Sequence, residues 1–125
     1  MIKNVLGTAL QTCCTDPLTG FYRDGKCNTG PEDVGKHTIC VQVNDDFLRH
    51  QASIGNDLIT PRPDFGFPGL KAGDHWCVCI ELWKYSYEAG IVAPVRLEAT
   101  HERALDVVTM EMLLNSARLD SSRAN

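Results

Sequence analysis

The chain has 125 residues, of which 43% are hydrophobic and 22% are charged, and its formal net charge is −4. This length is typical of one folded domain with a core large enough to be stable without disulfides or metal ions. The acidic balance and the scattered basic residues argue against a nucleic-acid partner. Every apolar run is much shorter than the roughly 18 residues of a membrane span, so no membrane partner is expected.

The predicted elements begin after a long N-terminal stretch that is rich in turn residues. Residues 15–35 carry Asp-Pro, Thr-Gly, Asp-Gly and Gly-Pro pairs, which are typical of loops. Residues 37–43 alternate between two kinds of side chain and predict a strand with one apolar face. Asn44 or Asp45 then caps a predicted helix that ends before Gly55.

A second long loop, residues 55–73, separates this helix from a strand predicted for residues 75–81. The prolines and glycines of the loop indicate a fixed conformation, and loops of this length usually serve binding or catalysis. The strand places Cys77 and Cys79 on one face, since residues two apart in a strand point the same way. A helix over residues 82–89 follows, with aromatic residues at helical spacing.

The remaining sequence predicts strands at residues 95–99 and 104–108, and a last helix from the Thr109 cap to residue 119. Together these elements predict an α+β fold, in which about three helices pack on a mostly antiparallel or mixed sheet with two long ordered loops. We expect residues 1–119 to form a single globular domain and residues 120–125 to form a flexible tail.

The N-terminal residues have no apolar segment of the kind that directs secretion, so the sequence predicts a cytoplasmic protein. Thiols stay reduced in that compartment, and six cysteines are a high count for it. In a secreted protein the same cysteines would allow many alternative disulfide pairings, among which the sequence does not choose.

The leading functional hypothesis is a cysteine-lined site that binds a soft transition metal or performs thiol chemistry. Thiolate sulfur and imidazole nitrogen are preferred ligands of zinc and copper, so either metal is a possible cofactor. The metal-ligand candidates are Cys13, Cys14, Cys77 and Cys79, with Cys40, His75 and His101 as possible additions.

Plain burial of the cysteines is the alternative to a metal or thiol site. Free cysteine is often a small buried hydrophobe, and a Cys-x-Cys pair lies outside the usual zinc spacing. Cys27 lies in the middle of a turn-rich loop and is predicted to be a bystander.

A second hypothesis is an enzyme or binding protein for a small anionic ligand. Arg62 lies between two prolines and is held extended. Its guanidinium suits a carboxylate or phosphate, or pairs structurally with a nearby aspartate. His101 suits a general base or a metal ligand. The alternative is the start of a helix, with Thr100 as its cap and Glu102 in the first turn. The ligand-binding candidates are Arg62, Arg103, Asp57 and Glu102, together with His101.

A third hypothesis is a non-catalytic interaction module whose cysteines are structural. Its docking surface would consist of Phe65, Phe67 and Trp83, and it requires these aromatic side chains to be partly exposed. The sequence leaves open which hypothesis holds, whether the chain is an enzyme, and its oligomeric state.

Several blocks of the sequence form a distinctive pattern. They include Cys13-Cys-Thr-Asp-Pro-Leu-Thr-Gly-Phe-Tyr-Arg-Asp-Gly25, Thr60-Pro-Arg-Pro-Asp-Phe-Gly-Phe-Pro-Gly-Leu-Lys71, Trp76-Cys-Val-Cys79 and Leu97-Glu-Ala-Thr-His-Glu-Arg-Ala-Leu105. Together these blocks resemble one family of small bacterial proteins, the domain of unknown function with the number twenty-two thirty-seven, and the resemblance runs from about residue 4 to residue 118. It implies a stand-alone α+β protein and implies no activity.

Overall fold

The computed structural model describes residues 1–117, which contain three α-helices and one two-stranded antiparallel sheet. This composition confirms the predicted α+β class. Short 3-10 helices lie at Pro63–Phe65, Leu97–Ala99 and Glu102–Asp106. In chain order the other elements are strand β1 at Ile39–Gln42, helix α1 at Asp45–Ser53, strand β2 at His75–Val78, helix α2 at Ile80–Glu88 and helix α3 at Met110–Asn115.

The pairing of β1 with β2 gives the sheet two buried faces. Ile39 and Val41 of β1 join Trp76 of β2 in the main apolar core. Cys40 and Cys77 are direct register partners, and they belong to a second, smaller buried cluster. Because side chains alternate along a strand, one pair of short strands serves both clusters.

Helix α1 begins as the sequence predicts, because the Asn44 side chain accepts a hydrogen bond from the Phe47 N–H at 2.8 Å. Phe47 is fully buried in the main core. Gln51 is buried as well, and its amide donates to the Leu82 carbonyl oxygen of α2 at 2.9 Å. Helix α1 is therefore fixed to α2 by a buried hydrogen bond in addition to apolar packing.

The predicted strand at residues 75–81 is too long, since β2 ends at Val78 and α2 begins at Ile80 with Cys79 as its N-cap. Ile80 is fully buried, so its position fits the apolar face of a strand as well as that of a helix. The two patterns overlap here, and the helix extends further toward the N-terminus than predicted.

The strand predicted at residues 95–99 is wrong, because the structure has a 3-10 helix at Leu97–Ala99. Val95 alone extends the sheet, as an antiparallel bridge partner of Val41 and a parallel bridge partner of Ala117. One residue of sheet pairing is enough to bury Val95, and the chain then turns away.

The strand predicted at residues 104–108 is also wrong, because a 3-10 helix spans Glu102–Asp106. Ala104 and Val108 are the buried residues of this segment. In a strand Asp106 would lie on the same face as these two residues, but Asp106 is exposed. The Val108 N–H instead donates to the Ala104 carbonyl oxygen at 3.0 Å, which closes a helical turn.

Helix α3 begins after Thr109, whose hydroxyl accepts a hydrogen bond from the Met112 N–H at 3.2 Å as predicted. It ends at Asn115, and residues 118 and 119 of the predicted helix lie outside the described residues, as does the predicted tail at 120–125. The single-domain organisation stays a prediction. Within residues 1–117, no helix combines the length and apolarity needed to cross a membrane.

Residues 1–38 form isolated bridges but no helix or strand. Buried side chains attach this segment to the rest of the fold. The Thr19 hydroxyl accepts from the Cys77 N–H at 2.9 Å, and the Asn4 amide donates to the Glu98 carbonyl oxygen at 2.9 Å. These bonds satisfy backbone groups that a regular sheet would otherwise pair.

Candidate functional site

Four cysteines form two disulfide bonds, Cys13–Cys40 and Cys27–Cys77. Their Cα atoms are 5.7 Å and 5.2 Å apart, within the usual range for this bond. Each bond joins a residue of the N-terminal loops to a residue of the sheet. Two short strands thereby hold a segment that has no regular structure of its own.

The sulfur atoms of these bonds converge on one buried volume. Those of Cys13, Cys27 and Cys77 all lie within 4.8 Å of one another, and Cys40 is bonded to Cys13. All four residues are at most 3% exposed, and Ala99 completes the packing around them. We call Cys13, Cys27, Cys40 and Cys77 the cysteine cluster.

The strand register explains half of the cysteine cluster, because Cys40 and Cys77 face each other across the sheet on the side away from the main core. The other half depends on loop structure. The Cys13 N–H donates to the Gly25 carbonyl oxygen at 2.7 Å, which draws Cys13 toward the turn that carries Cys27.

One cation lies beside the cysteine cluster. The Arg96 Nη1 donates to the Cys13 carbonyl oxygen at 3.3 Å, and its Nη2 lies 3.4 Å from Nε2 of His75. His75, a predicted metal ligand, is therefore near the cluster and is in contact with this guanidinium. Arg96 therefore brings a positive charge next to the backbone of Cys13.

The cysteine cluster contains two of the four predicted cysteine ligands, Cys13 and Cys77, but not Cys14 and Cys79. These last two are free thiols of intermediate exposure. The prediction that Cys27 is a bystander is wrong, because Cys27 is fully buried and bonded to Cys77. No local pattern marks Cys27, since only the folding of its loop brings it to the sheet.

His101 is not part of the cysteine cluster, although the preceding residue, Thr100, accepts a hydrogen bond from the Cys40 N–H at 3.2 Å. His101, and not Thr100, is the N-cap of the helix that follows. The His101 Nδ1 accepts a hydrogen bond from the Arg103 N–H at 3.0 Å and so begins the 3-10 helix. Arg103 forms an exposed ion pair with Asp106 at 3.2 Å, and Glu102 is exposed. Metal and ligand-binding roles for these residues stay predictions.

Burial lowers the pKa of His101 below its ordinary value of 6.5. As the pH falls through this value, the His101 imidazole therefore becomes protonated in the unfolded chain before it does so in the folded chain. We expect the free energy of unfolding to decrease between about pH 7.5 and pH 5.5, which urea titrations at both values would measure.

His101→Asn removes the titrating ring and keeps a side-chain acceptor at the helix start. We expect this variant to lose less stability on acidification than the wild type. An equal loss in both proteins would assign the pH dependence to another group.

A cavity of about 500 Å³ adjoins the cysteine cluster, and Cys77 belongs to both. It lies between the two loops that the sequence predicts to be ordered, residues 15–35 and 55–73. Its charged and aromatic lining includes Phe21, Arg23, His37, Arg62 and Trp76.

Two predicted ligand-binding residues, Arg62 and Asp57, line this cavity, and Arg103, Glu102 and His101 do not. Arg62 binds the Asp64 carboxylate through two hydrogen bonds, of 2.9 Å and 3.2 Å. These bonds lower the pKa of Asp64. The structure thus contains the structural ion pair between Arg62 and a nearby aspartate that the sequence analysis gave as the alternative to ligand binding.

The Asp57 carboxylate accepts hydrogen bonds from the Ile59 and Thr60 N–H groups at 2.9 Å and 3.1 Å. It therefore shapes the loop beside the cavity. Of the predicted docking aromatics, Trp83 and Phe67 are buried and only Phe65 is exposed, at 63%. The prediction of a docking surface made of all three side chains is therefore wrong.

Most of the chain matches one family of known sequences. The sequence profile of the family DUF2237, described as an uncharacterized protein conserved in bacteria, matches residues 3–117. No protein with a curated description matches the chain. Because the match spans nearly all of the sequence, the chain belongs to this uncharacterized bacterial family.

Proposed function

We propose that the chain binds a soft transition-metal ion through its cysteine cluster when the four thiols are reduced, and that the two disulfides are the oxidised form of the same site. The convergence of the Cys13, Cys27 and Cys77 sulfurs within 4.8 Å carries this proposal. The sequence hypothesis of a cysteine-lined site is retained, with Cys27 and Cys40 in place of Cys14 and Cys79.

Three of the four sulfur atoms, those of Cys13, Cys27 and Cys77, are close to the spacing that a tetrahedral ion needs. Zinc–sulfur bonds of about 2.3 Å place the four sulfurs of a tetrahedron about 3.8 Å apart. Breaking each disulfide and moving its two sulfurs apart by less than about 2 Å would bring each bonded pair to that spacing. The backbone positions are already close enough, since Cys40 and Cys77 are cross-strand partners.

The redox step requires a reductant, for which a dithiol is the appropriate chemical class. Each disulfide takes up two electrons and two protons from one dithiol, which itself becomes a disulfide. The four thiols then lose their protons to solvent as thiolate–metal bonds form. The predicted cytoplasmic compartment would favour this reduced state.

The donor set and the surroundings favour Zn²⁺ or Cu⁺. Four thiolates are a common structural zinc site, and thiolate is also a preferred ligand of Cu⁺. A metal bound by four thiolates carries negative charge, which the Arg96 guanidinium beside Cys13 partly offsets. Thr19 and Thr100 hold the backbone N–H groups of Cys77 and Cys40 by hydrogen bonds, which favours retention of the local fold after reduction.

Metal analysis in two redox states tests the proposal. We expect the chain reduced anaerobically with a dithiol to bind about one Zn²⁺, measured by mass spectrometry, and the oxidised chain to bind none. With Co²⁺ in place of Zn²⁺, sulfur-to-cobalt charge-transfer absorption is expected. Cys27→Ser is expected to weaken Zn²⁺ binding at least about tenfold.

Cys79→Ser is the matched control, since it removes a free thiol outside the cysteine cluster. It should bind Zn²⁺ like the wild type. Equal loss of metal in Cys27→Ser and Cys79→Ser would contradict the proposal. So would a reduced chain that remains folded, by circular dichroism, and binds no Zn²⁺ or Cu⁺.

A further inference from the structure

We propose that the cavity between residues 15–35 and 55–73 binds a small ligand that combines a flat ring with an anionic group, a carboxylate or a phosphate. The cavity shares Cys77 with the cysteine cluster, but its ligand-binding groups are Arg23 and His37, with Arg62 at the rim. The proposal rests on unused hydrogen-bonding capacity next to aromatic walls.

Arg23 supplies the principal anion-binding group. Its Nη1 donates to the Gly20 carbonyl oxygen at 2.7 Å and its Nη2 to the Phe65 carbonyl oxygen at 2.9 Å, so the guanidinium joins the two loops. Its Nε is buried and has no hydrogen-bond partner among residues 1–117. A buried donor without a partner is costly, and a small movement of the Arg23 side chain toward an anion in the cavity would relieve that cost.

The Arg23 guanidinium forms no ion pair within residues 1–117. Its guanidinium lies 5.3 Å from the ring centroid of Trp76, an arrangement that fixes the plane of the cation. A fixed, planar, unpaired guanidinium is well suited to bind a carboxylate or phosphate with two parallel hydrogen bonds.

His37 supplies a second polar group with a defined orientation. Its Nδ1 lies 2.6 Å from Oδ1 of Asp33, which is fully buried. Burial alone would raise the pKa of the Asp33 carboxyl, but hydrogen bonds from His37 and Thr29 outweigh it and lower the pKa. The Asp33 carboxylate thus holds the ring through Nδ1 and leaves Nε2 as the ring nitrogen that can face a ligand.

The remaining walls favour a ring. Phe21 stacks on His37 with centroids 6.2 Å apart, and Phe67 meets Trp76 edge-on at 5.2 Å. Phe65 is 63% exposed beside the Arg62 guanidinium, which lies 4.6 Å from its ring centroid. Exposed aromatic surface around a polar centre is typical of ligand sites, and about 500 Å³ is in their usual size range.

Four small probes separate the two parts of the expected ligand: phenyl phosphate, benzoate, benzyl alcohol and inorganic phosphate. We expect phenyl phosphate or benzoate to bind the oxidised protein with a Kd of about 1–10 mM, as suits fragments of this size. Benzyl alcohol lacks the anion and inorganic phosphate lacks the ring, so both should bind at least about tenfold more weakly. Binding is followed by amide chemical shifts and by the fluorescence of the two tryptophans, of which only Trp76 lines the cavity. The tighter of the two ring anions identifies carboxylate or phosphate.

Arg23→Gln removes the charge while keeping a polar side chain. We expect it to lower the affinity for phenyl phosphate and benzoate about tenfold or more. Arg49→Gln is the matched control, because Arg49 is an exposed arginine of α1, paired with Asp46, outside the cavity. It should leave the affinity unchanged. Phe65→Ala is a second cavity variant, and the exposure of Phe65 makes it compatible with folding.

Three results would overturn the proposal. One is the absence of binding by both ring anions up to about 10 mM. Another is equal affinity of Arg23→Gln and Arg49→Gln for the ring anions. If Arg23→Gln fails to fold, wild-type affinity of Phe65→Ala would be decisive against a ring-binding cavity. All of these measurements use the oxidised protein without metal, so they are independent of the zinc experiment.

Discussion

Replacing Cys27 and Cys77 together by alanine is expected to lower the free energy of unfolding of the oxidised protein by about 4 kcal/mol. The disulfide joins residues that are 50 positions apart, so its removal gives the unfolded chain much more conformational freedom. Against a typical domain stability of about 5–15 kcal/mol this loss is large. Chemical denaturation monitored by circular dichroism measures it.

The reduced protein is the control for this double variant. With a dithiol present and metal absent, neither the wild type nor the variant contains the bond, so their free energies of unfolding should differ much less. An equally large difference in both redox states would assign the effect to lost packing in the cysteine cluster. It would contradict the view that the bond acts through the unfolded chain.

Trp83→Ala is expected to destabilise the protein by about 3–5 kcal/mol. Trp83 is fully buried, stacks on Tyr87 at 5.2 Å, and donates its indole N–H to the Ala93 carbonyl oxygen at 3.1 Å. The substitution leaves a large void in the main core and a buried carbonyl without its donor. Urea titration at constant pH gives the change in free energy of unfolding.

Tyr85→Ala is the matched control for Trp83→Ala, because Tyr85 is an aromatic residue of the same helix that is 57% exposed. It should cost less than about 1 kcal/mol. Trp83→Phe should lie between the two variants, since it keeps a ring in the core and loses the hydrogen bond. Equal effects of Trp83→Ala and Tyr85→Ala would contradict the assignment of α2's buried face.

Local signals account for the parts of the fold that the sequence predicts. The Asn44 and Thr109 caps form the expected side-chain hydrogen bonds, and the alternation of β1 places Cys40 opposite its apolar face. Each of these features depends on residues within a few positions. Short-range physical rules were therefore sufficient to locate them.

The misplaced elements involve residues that fit two patterns. Ile80 belongs to an apolar alternation with Val78, and it also opens the buried face of α2. Val107 and Val108 favour a strand by composition, but the segment is a 3-10 helix because Ala104 and Val108 pack into the core together. Tertiary packing decided both cases against the local preference.

The site depends mainly on contacts between residues far apart in the chain. Cys13 and Cys27 come from loops without periodicity, and their disulfides span 27 and 50 positions. Arg23 reaches the cavity through a loop in which it adopts a left-handed φ of 54°. Neither the pairing nor this backbone conformation leaves a mark in residue spacing. The two long loops, residues 15–35 and 55–73, were predictable from the sequence. The side chains that these loops bring together were not.

The register of the sheet has a consequence for oxidative assembly. Cross-strand partners have Cβ atoms only about 4.5–5.5 Å apart, so pairing of β1 with β2 alone brings the thiols of Cys40 and Cys77 near each other. A bond between them would be a competing isomer that leaves Cys13, Cys27 and the N-terminal loops unattached. Docking of residues 1–38 on the sheet before its two thiols oxidise would therefore favour the native pairs over this isomer.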